Sequence, residues 1–162
     1  MTMTRLIVLL VSLLIPRMSL AGAAELDTCD AACQRTQIEN YYAGIDAIML
    51  AGSSVADIDD LLGRLHEDVR YIHEEYEADF DKSTWRKAFV RQLEKGAYND
   101  GPDGLTSILR VIHGYEFAAV EVISRYTENG VLIETKPRLV TFKFDQGKIL
   151  QIKEHWYHLA EQ

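Results

Sequence analysis

From residue 38 the apolar positions fall at helical spacing: Ile38, Tyr41, Tyr42, Ile45, Ile48 and Met49. Residues three and four apart share one face of a helix, so this stripe predicts an amphipathic helix that ends at Ala51-Gly52. Ser54 then offers an N-cap, and Asp57 three residues on completes a capping box. Val55, Ile58, Leu61, Leu62 and Leu65 give that second helix its buried face. Residues 69–73 read as a short strand and the acidic stretch 74–82 as a loop. A third helix follows Asp81 or Ser83 and buries Trp85, Ala88, Phe89 and Leu93. Residues 98–104, rich in Asn, Asp, Gly and Pro, are punctuated as a loop. There the period falls to two. Residues 106–113 and 117–127 read as strands, and Glu128-Asn-Gly-Val131 is a hairpin signal, because Asn-Gly suits the positive φ angles of a tight turn. Residues 131–144 form a long strand with Pro137 near its middle, which predicts a bulge or an edge position there. After a turn at 145–147, residues 148–158 close the chain.

Helices first and long strands afterwards make an α+β plan. Over 162 residues no internal repeat, low-complexity tract or Pro/Ser-rich linker appears, which predicts one domain. With 48% hydrophobic and 26% charged residues the chain has the composition of a globular protein. Its net charge of −8 opposes a phosphate backbone or an anionic membrane. The densest basic stretch, Arg86-Lys87 to Lys95, carries Glu94 as well. Nucleic acid is therefore not an expected partner.

The first 24 residues change the picture of where the protein works. Arg5 precedes an apolar run at 6–15, which as a helix spans about 15 Å, half of a bilayer core. Small residues at 19–24 follow, offering cleavage after Ala23 or Ala24. Arg17 interrupts the pattern, and an uncleaved amphipathic or membrane-stop helix is the other reading. Ala23 stands where the lipidated cysteine of a lipobox would be. The expectation is a signal peptide at 1–24 and an exported, periplasmic or secreted protein without a membrane anchor. Its removal would leave 15 basic against 25 acidic side chains, a net charge of −10. Cys29 and Cys33, the only cysteines, fit export. A helical i,i+4 pair lies within disulfide reach, and an oxidising compartment would close it. A metal would need two further ligands, and the spacing is not Cys-x-x-Cys.

Three landmarks carry a resemblance: Ile38-Glu-Asn-Tyr-Tyr42, Leu61-Leu-Gly-Arg-Leu-His-Glu-Asp-Val-Arg-Tyr71 and Phe142-Lys-Phe-Asp-Gln-Gly-Lys-Ile149. With the order of elements, they make residues 36–160 resemble the nuclear-transport-factor-2-like superfamily, in particular its SnoaL-like members. The resemblance implies a cystatin-like α+β barrel: a cone-shaped, curved antiparallel or mixed sheet wrapped around N-terminal helices. It also implies an apolar pocket and a homodimer through the sheet. The domain plan is then a leader at 1–24, a Cys-containing segment at 25–36 and the SnoaL-like domain at 37–162. The superfamily includes ketosteroid isomerases, scytalone dehydratases, epoxide hydrolases, polyketide cyclases and many members without catalysis, so the fold does not choose the activity.

The resemblance places His73 near the strand end where the isomerase-type members keep their catalytic carboxylate. An imidazole there works as a general acid or base near neutral pH. Strand alternation puts Tyr71 on its face and sends Arg70 and Ile72 to the other. Tyr41 matches the isomerases' oxyanion-stabilising tyrosine. Their second, protonated acid has no counterpart, since Leu139 and Val140 occupy that stretch. The plainer readings are a core tyrosine at 41 and a pocket-rim histidine at 73 bonded to Glu74 or Glu75. His113 would line the cavity from a strand and face His73, as paired histidines do in dehydratase-type members. Tyr71, Tyr115, Trp156 and Tyr157 are the expected pocket-lining aromatics, with one of the last two facing in. Trp85 and Phe89 fit the helical core.

Other residues add little chemistry. His155 and His158 fall on opposite strand faces, and His66 sits at a helix end. The acidic run 74–81 lacks the glycine and spacing of an EF-hand. No phosphate loop, dinucleotide fingerprint or Gly-x-Ser-x-Gly occurs, so no cofactor and no metal are expected. The incomplete acid–base set ranks binding of a small apolar or amphipathic molecule first. An isomerase, dehydratase or cyclase using His73 comes second, and a non-catalytic dimerisation module third.

Overall fold

The computed structural model describes residues 28–99, 105–128 and 130–155. The expected leader, Asn129 of the hairpin signal, and Trp156, Tyr157 and His158 lie outside the described residues.

The first helix, α1 (Ala31–Met49), starts two turns before the apolar stripe. Asp30 caps it, accepting a hydrogen bond from the Cys33 backbone N–H at 2.9 Å. A disulfide joins Cys29 and Cys33 across that cap, with Cα atoms 5.2 Å apart. Helix α2 (Val55–Arg64) begins with the expected capping box, Ser54 N–H donating to Asp57 at 2.7 Å. The two helices meet where Gly44 faces Leu61. A Cβ on residue 44 would stand 2.7 Å from a Leu61 methyl, so a larger residue there would have to displace the Leu61 side chain. Helix α3 (Lys82–Glu94) is capped by Asp81, which accepts from the Thr84 N–H at 2.7 Å.

The stretch expected as an acidic loop is largely a hairpin. Strand β1 (Arg70–His73) passes through a 3-10 turn at Glu74–Tyr76 and returns as β2 (Ala78–Asp81), antiparallel to it. Glu77 makes the reversal with a left-handed φ of 50°. The acids hid the alternation: Ala78 and Phe80 are half-buried, while Asp79 and Asp81 face water. Asp79 pairs there with Arg70 at 2.6 Å.

Strands β3 (Leu105–Gly114) and β4 (Phe117–Glu128) form a long antiparallel pair with a bulge between Ile108 and Arg110. The expected long strand at 131–144 is two, β5 (Val131–Glu134) and β6 (Arg138–Asp145), laid one after the other along the same edge of β4. Pro137, with no N–H to give a ladder, lies in the break. Strand β7 (Lys148–His155) turns back on β6 and pairs on its other side with β1, in parallel. The sheet is therefore mixed and open, ordered β2-β1-β7-β6-β4-β3, with β5 beside β4.

Helix α1 lies on its inner, concave face against β3, α3 packs at β1 and β2, and α2 packs on these two helices. Alternate residues Val120 and Val122 of β4, Val140 and Phe142 of β6, and Ile152 of β7 are buried there against Ile38, Ile48, Ile58 and Leu61. Each such side chain contributes about 1.5–3 kcal/mol on burial. Among the described residues no helix is long and apolar enough to cross a membrane.

Candidate functional site: an aromatic cavity around Glu154

Two side chains on the inner face meet because β1 and β7 run parallel. Tyr71 pairs in register with Ile152, and His73 with Glu154. Tyr71 donates its hydroxyl hydrogen to Glu154 Oε1 at 3.1 Å. Glu154 is thus a carboxylate on the core face, its side chain only 16% exposed. From β6, Arg138 shares that face and donates through Nη2 to Ser124 Oγ at 2.5 Å.

These groups form the polar end of a cavity of about 310 Å³. Its walls are aromatic and aliphatic: Tyr41, Tyr42, Ile45 and Met49 from α1, and Trp85 and Phe89 from α3. The rings are ordered against one another. Tyr71 stacks on Trp85 with centroids 4.7 Å apart and planes 17° from parallel, and Trp85 lies 5.4 Å from Phe89. Tyr41 meets Phe142 edge-on at 5.6 Å.

Two lining charges are already engaged. Asp46 accepts from the Thr106 N–H and hydroxyl at 3.0 and 2.8 Å, and Arg125 bonds Glu134 at 2.7 Å and Ser107 at 2.9 Å. By contrast, the Tyr42 hydroxyl is buried with no hydrogen-bond partner among the described residues. Burial pushes the phenols of Tyr41, Tyr42 and Tyr71 well above their ordinary pKa, and the Glu154 charge pushes each further. They stay neutral and protonated, fit to give hydrogen bonds but not to ionise. Among the described residues no group of three or more His, Cys, Asp or Glu is placed to hold a metal ion.

The structure brings Tyr41 and Tyr71 to the cavity together. His73 is placed otherwise than expected. The residue is 3% exposed, yet it is not part of the lining: it lies behind Glu154, Nε2 to Oε2 at 4.0 Å, and is covered by the Tyr76 ring at 4.3 Å. His113 does not face it. Strand β3 ends the sheet four places from β1, and there His113 Nδ1 donates to Gln34 Oε1 at 2.9 Å, outside the cavity. Tyr115 sits on the turn between β3 and β4, 81% exposed, because a two-residue reversal carries it past the end of both strands. Trp156 and Tyr157 lie outside the described residues. His66 is buried at the end of α2, its Nδ1 accepting from the Asp68 N–H and its Nε2 3.4 Å from Asp145.

Glu154, Arg138 and Tyr42 are cavity groups that the apolar pattern does not announce. The signal for two of them was the strand period itself: Glu154 is two residues beyond buried Ile152, and Arg138 two before buried Val140.

No family model and no curated protein matches the chain. Solved structures do. A proposed ketosteroid isomerase from Kribbella flavida shares 16% identity over 86% of each chain, with a TM-score of 0.57. TerC, co-crystallised with polyporic acid, shares 15% over 79% of this chain and 94% of that one, with a TM-score of 0.55. An NTF2-like protein of unknown function from Burkholderia pseudomallei shares 16% over 77% and 91%, with a TM-score of 0.53. Helices on the concave face of a mixed, open, curved sheet, matched over most of the chain at these scores, are the fold of the nuclear-transport-factor-2-like superfamily.

Proposed function

We propose that this is an exported protein that binds a small amphipathic molecule in the aromatic cavity. The ligand's flat apolar body lies along Trp85 and Tyr71, and a hydroxyl or similar donor reaches Glu154. One observation carries the reading: a carboxylate stands beside the cavity's aromatic wall with one oxygen engaged by Tyr71 and the other accepting no hydrogen bond among the described residues. The volume lies at the small end of the roughly 300–1,000 Å³ common for ligand sites. TerC offers a neighbour of this fold co-crystallised with a small molecule, polyporic acid. Export rests on the leader pattern at 5–24 and fits the Cys29–Cys33 disulfide.

The test is titration with 2-naphthol, a neutral hydroxylated aromatic, followed by tryptophan fluorescence and calorimetry. Saturable binding at one site is expected, weakened about 5- to 150-fold in Glu154→Gln, the equivalent of about 1–3 kcal/mol for an unmet buried partner. No saturable binding, or an unchanged affinity in Glu154→Gln, ends this reading.

A second reading is proton transfer, favoured by the neutral phenols of Tyr41 and Tyr42 beside Glu154. Glu154 would take a proton α to a carbonyl while a phenol donates to the forming oxyanion. It replaces His73 as the group that touches substrate, because Glu154 lines the cavity and His73 does not. Catalysed loss of α-deuterium from 2-tetralone, reduced about 10²- to 10⁴-fold in Glu154→Gln, is the expected signature. Exchange at the uncatalysed rate removes it.

Assembly as a homodimer through the outer sheet face completes the proposal. Ile112 and Leu139 are 61% and 46% exposed there, flanking a groove shared by β3, β4 and β6. Light scattering should give twice the chain mass, and a monomer at all concentrations would rule the dimer out.

A further inference from the structure

Behind Glu154 lies a titratable group that a ligand in the cavity does not touch. His73 and Glu154 are register partners on parallel strands, so both side chains leave the sheet on one face about 4.8 Å apart. Tyr71, two residues earlier on that face, holds Glu154 Oε1 at 3.1 Å. The other oxygen, Oε2, lies 4.0 Å from His73 Nε2. That gap is longer than a hydrogen bond and short enough for one small rotation of the carboxylate to close it.

The other charges are disposed around this pair. On the cavity side stand the phenols of Tyr41 and Tyr42 from α1 and the Arg138 guanidinium from β6. At the 3-10 turn Tyr76 covers the imidazole, with Glu75 beside it and Glu74 bonded to Lys153 of β7. From β2, Asp79 is paired with Arg70. Glu154 makes an ion-pair contact to the His73 ring from β7.

We propose that His73 is a positioning residue for Glu154 and makes the cavity's carboxylate pH-sensitive; this rests on Glu154 being the ligand-binding group. With a neutral imidazole, Glu154 presents its charge and its Oε2 to the cavity. On protonation, Nε2–H donates to Oε2 and forms a charge-assisted hydrogen bond, which draws that oxygen back from the cavity and offsets its charge. A ligand that needs Oε2 is released as pH falls. By linkage the ligand, when bound, opposes the same protonation.

Two measurements test this, one without any ligand. The five histidine rings are followed by proton–carbon NMR over pH 4–9, with His73 assigned from its loss in His73→Gln. The His73 midpoint should fall in Glu154→Gln, because the carboxylate that favours the cation is gone. An unchanged midpoint overturns the proposal. In the second measurement 2-naphthol affinity is taken from pH 8 to pH 5. The wild type should lose about tenfold per pH unit below the His73 midpoint, as one coupled proton requires, and His73→Gln should show no such slope. The same slope in His73→Gln also overturns it. If 2-naphthol fails to bind at any pH, the ligand reading falls, and the NMR comparison still decides whether His73 and Glu154 are coupled.

Discussion

At the scale of single residues, buried polar side chains are where this chain departs from its own pattern. Gln34 sits in the helical face of α1 at 1% exposure, and its amide is used at both ends. Nε2 donates to Cys29 O at 2.9 Å and to Gly114 O at 2.8 Å, while Oε1 accepts from His113. One side chain thereby ties the disulfide segment, the helix start and the β3–β4 turn. Gln34→Glu keeps the shape and removes both donors, setting a carboxylate against two carbonyl oxygens. It should cost about 3 kcal/mol or more at pH 7 in urea unfolding. Such a carboxyl titrates above its unfolded value, near 4.3, so the stability returns as pH falls through the folded value and is fully back by the unfolded one. Equal stability at pH 7 would show that the amide donors do not matter. An apolar period cannot reveal Gln34, because it counts only hydrophobic positions. It could have revealed Glu154 and Arg138, which obey the strand period and break only the rule that inner positions are apolar. Such breaks are expected at functional sites. Tyr41 and Tyr71 were legible because a tyrosine satisfies both rules at once.

Among the elements, capping chemistry was readable, and so was the hairpin that sets Glu128 opposite Val131, but other pairings were not. Ser54 and Asp57 start α2 where their spacing says, and Asp81 starts α3. The β1–β2 hairpin escaped notice because acids occupy its outward positions and a non-glycine residue, Glu77, makes the turn. Pro137 predicts a bulge or an edge position within one strand. The chain instead leaves the ladder at 135–137, where Thr135 bonds Ser124 through both its N–H and its hydroxyl before β6 begins. The Cys29–Cys33 bridge belongs to this scale. It closes a loop of only a few residues, so loop entropy limits its contribution to about 2 kcal/mol. Reduction should therefore lower the melting temperature modestly and leave the sheet intact. Hydrogen exchange should quicken at 29–36 and at the β3–β4 turn that Gln34 holds, and nowhere else. Global unfolding on reduction would contradict this local role.

For the molecule as a whole, the α+β plan followed from helical periods giving way to strand periods, but the order of strands did not. Pairing the first strand in parallel with the last depends on how the whole sheet curves around α1, and no local window contains both. That closure is what sets Tyr71 against Glu154 and buries three phenols under one carboxylate. It has a consequence for stability in alkali. Tyr41, Tyr42 and Tyr71 are all raised by burial first and by the Glu154 charge second. Their unfolded value is about 10. A folded value above the unfolded one gives stability that is fully present below pH 10 and is lost as pH rises, since only the unfolded chain then releases the protons. Three such phenols steepen the loss to about 4 kcal/mol per pH unit. A domain stable by about 5–15 kcal/mol is then exhausted within a few units. Absorbance at 295 nm reads tyrosine ionisation over this range. The phenols of Tyr41, Tyr42 and Tyr71 should ionise only together with the loss of the far-ultraviolet circular dichroism signal. Tyr41→Phe should make the decline shallower by about 1.4 kcal/mol per pH unit. All eight titrating in one step near pH 10, with the fold intact, would show that the cavity does not shield its phenols from water.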